Sequence, residues 1–287
     1  MRSGDGPPGP RVSVNQLCLP ETTFAQDVEL ARTLGYDGIS VDAGKVPVGA
    51  ESELAELLAD SGLRAAVCCG PTWSILPMTN FPEPADPMDR IAHIRAAIGR
   101  LARLRPASVF CALGVPTADL ADSWRVIDYG LRAIRDAAAQ AGTTLSVEPM
   151  TREGTGLMRQ PLAPSIDATL DLFERLGFDD ASVVADIWHL HDSDDFLDSL
   201  RANAHRISAL QLCDYHPPRT WRDRLMPGDG AGHVRAALRA LDEGGFDGWL
   251  DLEVFSDELW ALGPQEFMRR GRAAISDCWR TRGDEAG

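Results

Sequence analysis

Thr144-Leu-Ser-Val-Glu148 is a short apolar run closed by a carboxylate. The pattern returns at Ser182-Val-Val-Ala-Asp186 and Trp249-Leu-Asp-Leu-Glu253, and with an amide in place of the acid at Ile207-Ser-Ala-Leu-Gln211. Runs this short stabilise a fold only when they are buried as strands. In a parallel barrel every strand ends at the same mouth, so Glu148, Asp186, Gln211 and Glu253 would converge there. Three carboxylates and an amide oxygen make a hard-oxygen cage for one divalent cation.

Outward from these four runs, the whole chain alternates between short apolar stretches and longer amphipathic ones. The pattern predicts strands near 12–17, 38–42, 64–70, 108–113, 144–149, 181–187, 206–214 and 248–254. It predicts helices near 24–35, 50–62, 87–104, 120–141, 164–177, 193–203, 232–244 and 264–281. Gly35, Gly62, Gly142, Gly177 and Gly245 stand at helix ends, where glycine permits the left-handed cap. Pro87, Pro164 and Pro264 stand at helix starts. Uninterrupted alternation means a parallel sheet covered by helices, and eight units make an α/β (β/α)8 barrel. An open doubly wound sheet would need a glycine fingerprint after the first strand, but Asn15-Gln-Leu-Cys-Leu-Pro20 has none. The expectation is one barrel domain over residues 11–281. A disordered Gly/Pro-rich lead (1–10), too polar for a signal peptide, and a short tail (282–287) flank it.

The bulk properties narrow the function. The chain has 287 residues, 44% of them hydrophobic, and a formal net charge of −15. That field repels a phosphate backbone, so no nucleic-acid partner is expected. No apolar run approaches the roughly 18 residues of a membrane span, so no membrane partner is expected. Cys18, Cys68, Cys69, Cys111, Cys213 and Cys278 form no metal-finger spacing and mostly lie on predicted strands as small hydrophobes. A reduced, cytoplasmic protein acting on a small molecule fits, and a homo-oligomer is compatible with it.

The connections after the predicted strands are long at 70–86, 150–163 and 215–231, which places binding groups at the mouth. Val184-Ala-Asp-Ile-Trp-His-Leu190 sets His189 three residues after Asp186 at a strand-to-loop transition. Arg224-Leu-Met-Pro-Gly-Asp-Gly230 sets an arginine ahead of a tight turn, from which it can reach over the mouth to a substrate oxygen or phosphate. His216 and Trp73 lie in the long loops as candidate substrate contacts. His191, Trp188 and Trp221 are also near the mouth.

Glu148-Pro149, Asp186-x-Trp-His189, Gln211-x-x-Asp214, Arg224-x-x-Pro-Gly-x-Gly230 and Glu253 follow one another in a familiar order. In this the chain resembles the sugar phosphate isomerase/epimerase family. These are xylose isomerase-like TIM barrels of the AP endonuclease family 2 superfamily. The resemblance implies one divalent ion, Mn²⁺ or Mg²⁺, on Glu148, Asp186, Gln211 and Glu253. It implies proton exchange by Glu148 and Glu253, and substrate binding by His189 and Arg224. One departure bears on the reaction: ketose 3-epimerases of the family carry histidine where this chain has Gln211. Glutamine there is similar to the 3-dehydroshikimate dehydratases, and its neutral oxygen favours Mg²⁺ or Mn²⁺ over Zn²⁺.

The expected activity is therefore isomerisation or epimerisation of a small polyhydroxy carbonyl compound. The glutamates would transfer protons through a metal-bound enediolate. The alternative is a metal-dependent lyase that dehydrates a keto-polyol such as 3-dehydroshikimate or an inosose. Two further readings are disfavoured. DNA repair of the endonuclease IV type needs many histidine ligands and a basic surface, whereas this chain is acidic and has six histidines. A non-catalytic barrel would show a broken ligand set.

Overall fold

The computed structural model describes residues 10–153 and 156–284. Nearly all of the expected lead and the last three residues of the expected tail lie outside the described residues. Eight parallel strands close on themselves: β1 (Arg11–Asn15), β2 (Gly38–Asp42), β3 (Arg64–Cys69), β4 (Ser108–Ala112), β5 (Thr144–Glu148), β6 (Ser182–Asp186), β7 (Ile207–Leu212) and β8 (Trp249–Leu252). β1 pairs with both β2 and β8, which completes the expected barrel.

A helix follows each strand: α1 (Phe24–Thr33), α2 (Glu51–Ser61), α3 (Pro87–Leu101), α4 (Leu120–Gln140), α5 (Ile166–Leu176), α6 (Phe196–Ala202), α7 (Val234–Glu243) and α8 (Pro264–Arg280). Their starts and stops are local chemistry. Thr23 and Gln26 form a capping box on α1, Asp86 caps α3 ahead of Pro87, and Gly62 and Gly177 close α2 and α5 at positive φ. In α7, Val234, Ala237, Leu238 and Leu241 are buried, the i, i+3, i+4, i+7 stripe that docks a helix on a sheet.

Two apolar layers result. The larger packs helices against the outside of the barrel. The smaller fills the barrel with Ala66, Val67, Cys69, Phe110, Val184, Ala209 and Trp249. Trp249 is accommodated because Gly38 faces it; a Cβ at Gly38 would lie 2.8 Å from the indole. Above this plug the interior turns polar. Asp186 aligns with Gln211, Gln211 with Asp251, and Asp251 with Ser13, so register alone lays four polar groups side by side.

The structure shortens the predicted elements at the mouth. β6 stops at Asp186 because its Oδ1 accepts from Trp188 N at 2.9 Å and starts a single helical turn, Ile187–Leu190. The helix expected at 193–203 begins only at Phe196. The one expected from 232 begins at Val234, after His233 takes a left-handed conformation. The long loops are pinned from within. Arg90 is 1% exposed. It donates to Ser74 O (2.8 Å), Phe81 O (3.2 Å), Glu83 O (3.0 Å) and Pro84 O (3.0 Å), organising the loop after β3. Asp214 accepts from Tyr215 N, Gly228 N and Gly232 N at 2.7–3.0 Å, folding the Pro227–Gly230 turn back over β7.

Candidate active site

Glu148 closes β5, Asp186 closes β6, Gln211 lies near the end of β7, and Glu253 follows β8 directly. All four are buried, as are His189 and Arg224. Glu253 is the most heavily bonded. Its Oε1 accepts from Asn15 Nδ2 (3.1 Å) and Gln211 Nε2 (3.0 Å), and its Oε2 from Arg224 Nη1 (3.2 Å). Arg224 Nη1 also lies 3.7 Å from Asp186 Oδ2. His189 Nε2 stands 3.8 Å from Glu148 Oε1 and 3.9 Å from Asp186 Oδ2. Glu148, Asp186 and His189 offer ligand atoms all within 4.8 Å of one another.

The cluster has the signature of a cation site. Asp186 Oδ2 and Gln211 Oε1 are buried acceptors with no hydrogen-bond donor among the described residues. Such orphans are rare and costly in a folded protein. Gln211 spends its amide nitrogen on Glu253, which leaves its oxygen as the only atom available to a ligand. Three carboxylates face one guanidinium, leaving two negative charges that one divalent ion would neutralise. Without it the acids resist ionisation. Burial, then the neighbouring Glu253 and Asp186, push Glu148 well up, and burial followed by Asp186 pushes Glu253 to about 8. Burial and then Arg224 hold His189 well below its usual range, so its imidazole is neutral and able to accept. The residues present therefore fit a divalent metal.

Arg224 departs from the loose reach the sequence suggests. It lies in an aromatic slot, its guanidinium 4.6 Å from the Trp188 ring, 4.7 Å from Phe255 and 5.1 Å from Trp221. The Trp221 and Phe255 rings stack at 5.4 Å. Cation–π contact and burial fix one orientation, with Nη1 on Glu253. Trp73 is half-buried on the loop after β3, edge-on to Phe81 at 5.4 Å, and packs beside Met78 and Met150. His216 is exposed in the loop after β7 and, among the described residues, shares no hydrogen bond with the cluster.

Two buried polar residues escaped the reading of strand ends. Asn15 donates to Glu253 and, at 3.3 Å, to Asp251. Asp251 accepts from Ser13 (2.5 Å) and Ser40 (2.8 Å) and is pushed to about 6 mainly by burial. A period-two reading inside the strands, pairing Ser13 with Asn15 and Asp251 with Glu253, carries the signal.

The sequence pattern describing the xylose isomerase-like TIM barrel matches residues 28–278. The chain belongs to that family. This xylose isomerase-like barrel is 22% identical over 277 residues to the 3-dehydro-D-guloside 4-epimerase of Escherichia coli (strain K12), covering 92% of this chain and 98% of that protein. It is 27% identical over 113 residues to an inosose isomerase of Bacillus velezensis, 38% of this chain and 40% of that one. Its fold superposes with a TM-score of 0.79 on the IolI protein solved with a bound zinc atom, at 19% identity, covering 96% of this chain and 100% of that one. Both curated relatives are isomerising enzymes, in keeping with the expected isomerase or epimerase. No helix among the described residues is long and apolar enough to cross a membrane.

Proposed function

We propose that this barrel is a divalent-metal-dependent isomerase or epimerase of a small polyhydroxy carbonyl compound, with Mn²⁺ or Mg²⁺ on Glu148, Asp186, Gln211 and Glu253. The observation that carries the reading is the pair of orphaned buried acceptors, Asp186 Oδ2 and Gln211 Oε1, among three buried carboxylates. The ion, when bound, polarises a carbonyl and acidifies the C–H beside it.

The protein's own groups supply the rest. Glu148 and Glu253 rise from β5 and from the end of β8, which are not neighbours in the barrel. A substrate between them presents one face to each. One carboxylate removes the proton and the other returns it. Return to the same carbon from the opposite face inverts it, and return to the next carbon interconverts aldose and ketose. Arg224 and Asn15 hold Glu253 in place through its two oxygens. The neutral His189 beside Glu148 can accept or donate one hydrogen bond to a substrate hydroxyl. Trp73 contributes an apolar wall and the loop of His216 an outer contact.

Gln211 supports the dehydratase as the second reading, because the chain resembles the 3-dehydroshikimate dehydratases in carrying glutamine where ketose 3-epimerases carry histidine. Both readings begin with loss of the same proton. The test is incubation with a panel of ketoses, keto-polyols and their acids in deuterated buffer with Mn²⁺. Deuterium at the carbon next to the carbonyl, without new ultraviolet absorbance, is the expected result. A new enone absorbance would identify the lyase. No exchange on any compound by metal-loaded protein would sink both.

A further inference from the structure

Asp251 is a buried acid of the barrel interior to which the proposed chemistry gives no part. It lies on β8 between Trp249 and Glu253, two residues from each, so the three side chains share the inward face of the strand. Trp249 belongs to the apolar plug, and Asp251 is the next inward position above it, fully buried. A carboxylate there costs free energy that an alanine or valine, extending the plug, would not. Donors from β1 and β2 offset that cost. Asp251 Oδ1 accepts from Ser13 Oγ at 2.5 Å and from Ser40 Oγ at 2.8 Å, and Oδ2 accepts from Asn15 Nδ2 at 3.3 Å. Ser40 Oγ itself accepts from Val67 N at 3.4 Å, so its proton is directed at Asp251.

Asn15 carries the arrangement to the site. Its Oδ1 accepts from Leu17 N at 3.0 Å, and its amide nitrogen lies against two carboxylates, Asp251 Oδ2 and, at 3.1 Å, Glu253 Oε1. The nitrogen has two hydrogens, one for each acid. Turning the amide over would set its oxygen against both carboxylates and its nitrogen against the Leu17 N–H. Asn15 can therefore only donate to Glu253. Glu253 Oε1 takes that donor and Gln211 Nε2, whereas Oε2 takes Arg224 Nη1. Two donors fill the lone pairs of Oε1, and Oε2 keeps one for a proton or a cation.

We propose that Asp251 is a positioning residue for Glu253 that acts through Asn15: it locks the Asn15 amide, which fills Glu253 Oε1 and leaves Oε2 as the working oxygen. This rests on reading Glu253 as a metal ligand and proton carrier. It gives the buried acid a purpose that packing alone does not, since the layer beneath it is held together by apolar side chains.

The test is a double-mutant cycle of wild type, D251A, N15A and D251A/N15A, run at a temperature where circular dichroism shows every protein folded. Calorimetric titration of chelator-stripped protein reads the affinity for Mn²⁺. D251A and N15A should each weaken it roughly tenfold. The double variant should be no weaker than N15A, because a residue that acts through Asn15 has nothing to act on once Asn15 is gone. A residue that only filled the barrel would lower the melting temperature and leave the affinity of the folded protein alone. D251A with wild-type affinity therefore overturns the proposal, as do losses that add in the double variant. If D251A fails to fold, D251V, which keeps more of the volume, takes its place with the same expectations. Crystal structures of the wild type and the Asp251 variant, both stripped of metal, read the positioning directly. The distance from Asn15 Nδ2 to Glu253 Oε1 should open beyond about 3.5 Å in the variant, and an unchanged bond overturns the proposal. Wild type that takes up no Mn²⁺ would overturn the metal assignment and leave the structural comparison to decide the positioning.

Discussion

Glu253 and Glu148 are held very differently. Glu253 has donors on both oxygens, from Asn15, Gln211 and Arg224, while Glu148 faces His189 at a distance beyond hydrogen bonding. E148Q therefore replaces the acid at little structural cost. It should retain folding and metal content by elemental analysis while proton exchange falls by about 10²-fold or more. E253Q should lose as much activity, and it should also lose about 1–3 kcal/mol of stability in denaturant melts, because donors face both Glu253 oxygens and the new amide nitrogen cannot accept from them. If both variants still exchange deuterium at the wild-type rate, the two-glutamate mechanism is wrong and His189 becomes the base to examine. These acids were legible in the sequence because a charge at the end of an apolar run has one place to go in a parallel barrel. The setting of Arg224 was not legible. Its aromatic slot draws Trp188, Trp221 and Phe255 from the loops after three different strands, and no local spacing records that they meet.

The loop after β3 depends on one side chain of α3. Arg90 satisfies carbonyls at Ser74, Phe81, Glu83 and Pro84, and its Nη2 reaches Ser74 Oγ at 2.7 Å. R90M keeps the volume and removes every donor. Leaving the buried Ser74 acceptors unpaired, with the part-buried carbonyls of Phe81, Glu83 and Pro84 turned to water, should cost about 1–3 kcal/mol, read by chemical denaturation. Proteolysis should then cut first within 70–86, next to Trp73. Survival of that loop at wild-type rate would show that its own packing suffices. Most strands and helices matched their sequence periods to within a few residues, since capping residues and Gly stops act locally. The single turn Ile187–Leu190 was missed because four residues cannot display a helical period; it exists because the Asp186 carboxylate caps it.

For the molecule as a whole, the buried acids link metal, pH and stability. In metal-free protein, burial raises Glu253 to about 8 from an ordinary 4.5 and pushes Glu148 well up. The folded state then binds more protons than the unfolded one, so stability falls as pH rises from the ordinary carboxylate range through about 8. The melting temperature of chelator-treated protein should therefore rise as the buffer is taken from about pH 8.5 to about pH 6. Metal binding needs these groups ionised, so added Mn²⁺ should stabilise most at the alkaline end and least near pH 6. At a hundredfold excess over the dissociation constant the gain is about 2.7 kcal/mol, roughly 4–5 °C in a chain of 287 residues. Parallel melting curves with and without metal across the whole range would remove the acids from the cation site.

The count, order and direction of the barrel strands, and the identities of the groups that end them, follow from period and punctuation along the chain. These are local properties, and each residue reports its own burial through its neighbours at two, three and four positions. Partner choice is another matter. Gln211 turning its amide to Glu253, Asn15 meeting a carboxylate 238 residues away, and two arginines closing on Asp192 exist only after the barrel shuts. Such contacts leave no mark in sequence spacing, because closure rather than chain proximity brings them together, and charge and hydrogen-bond geometry then select among the groups that closure has gathered.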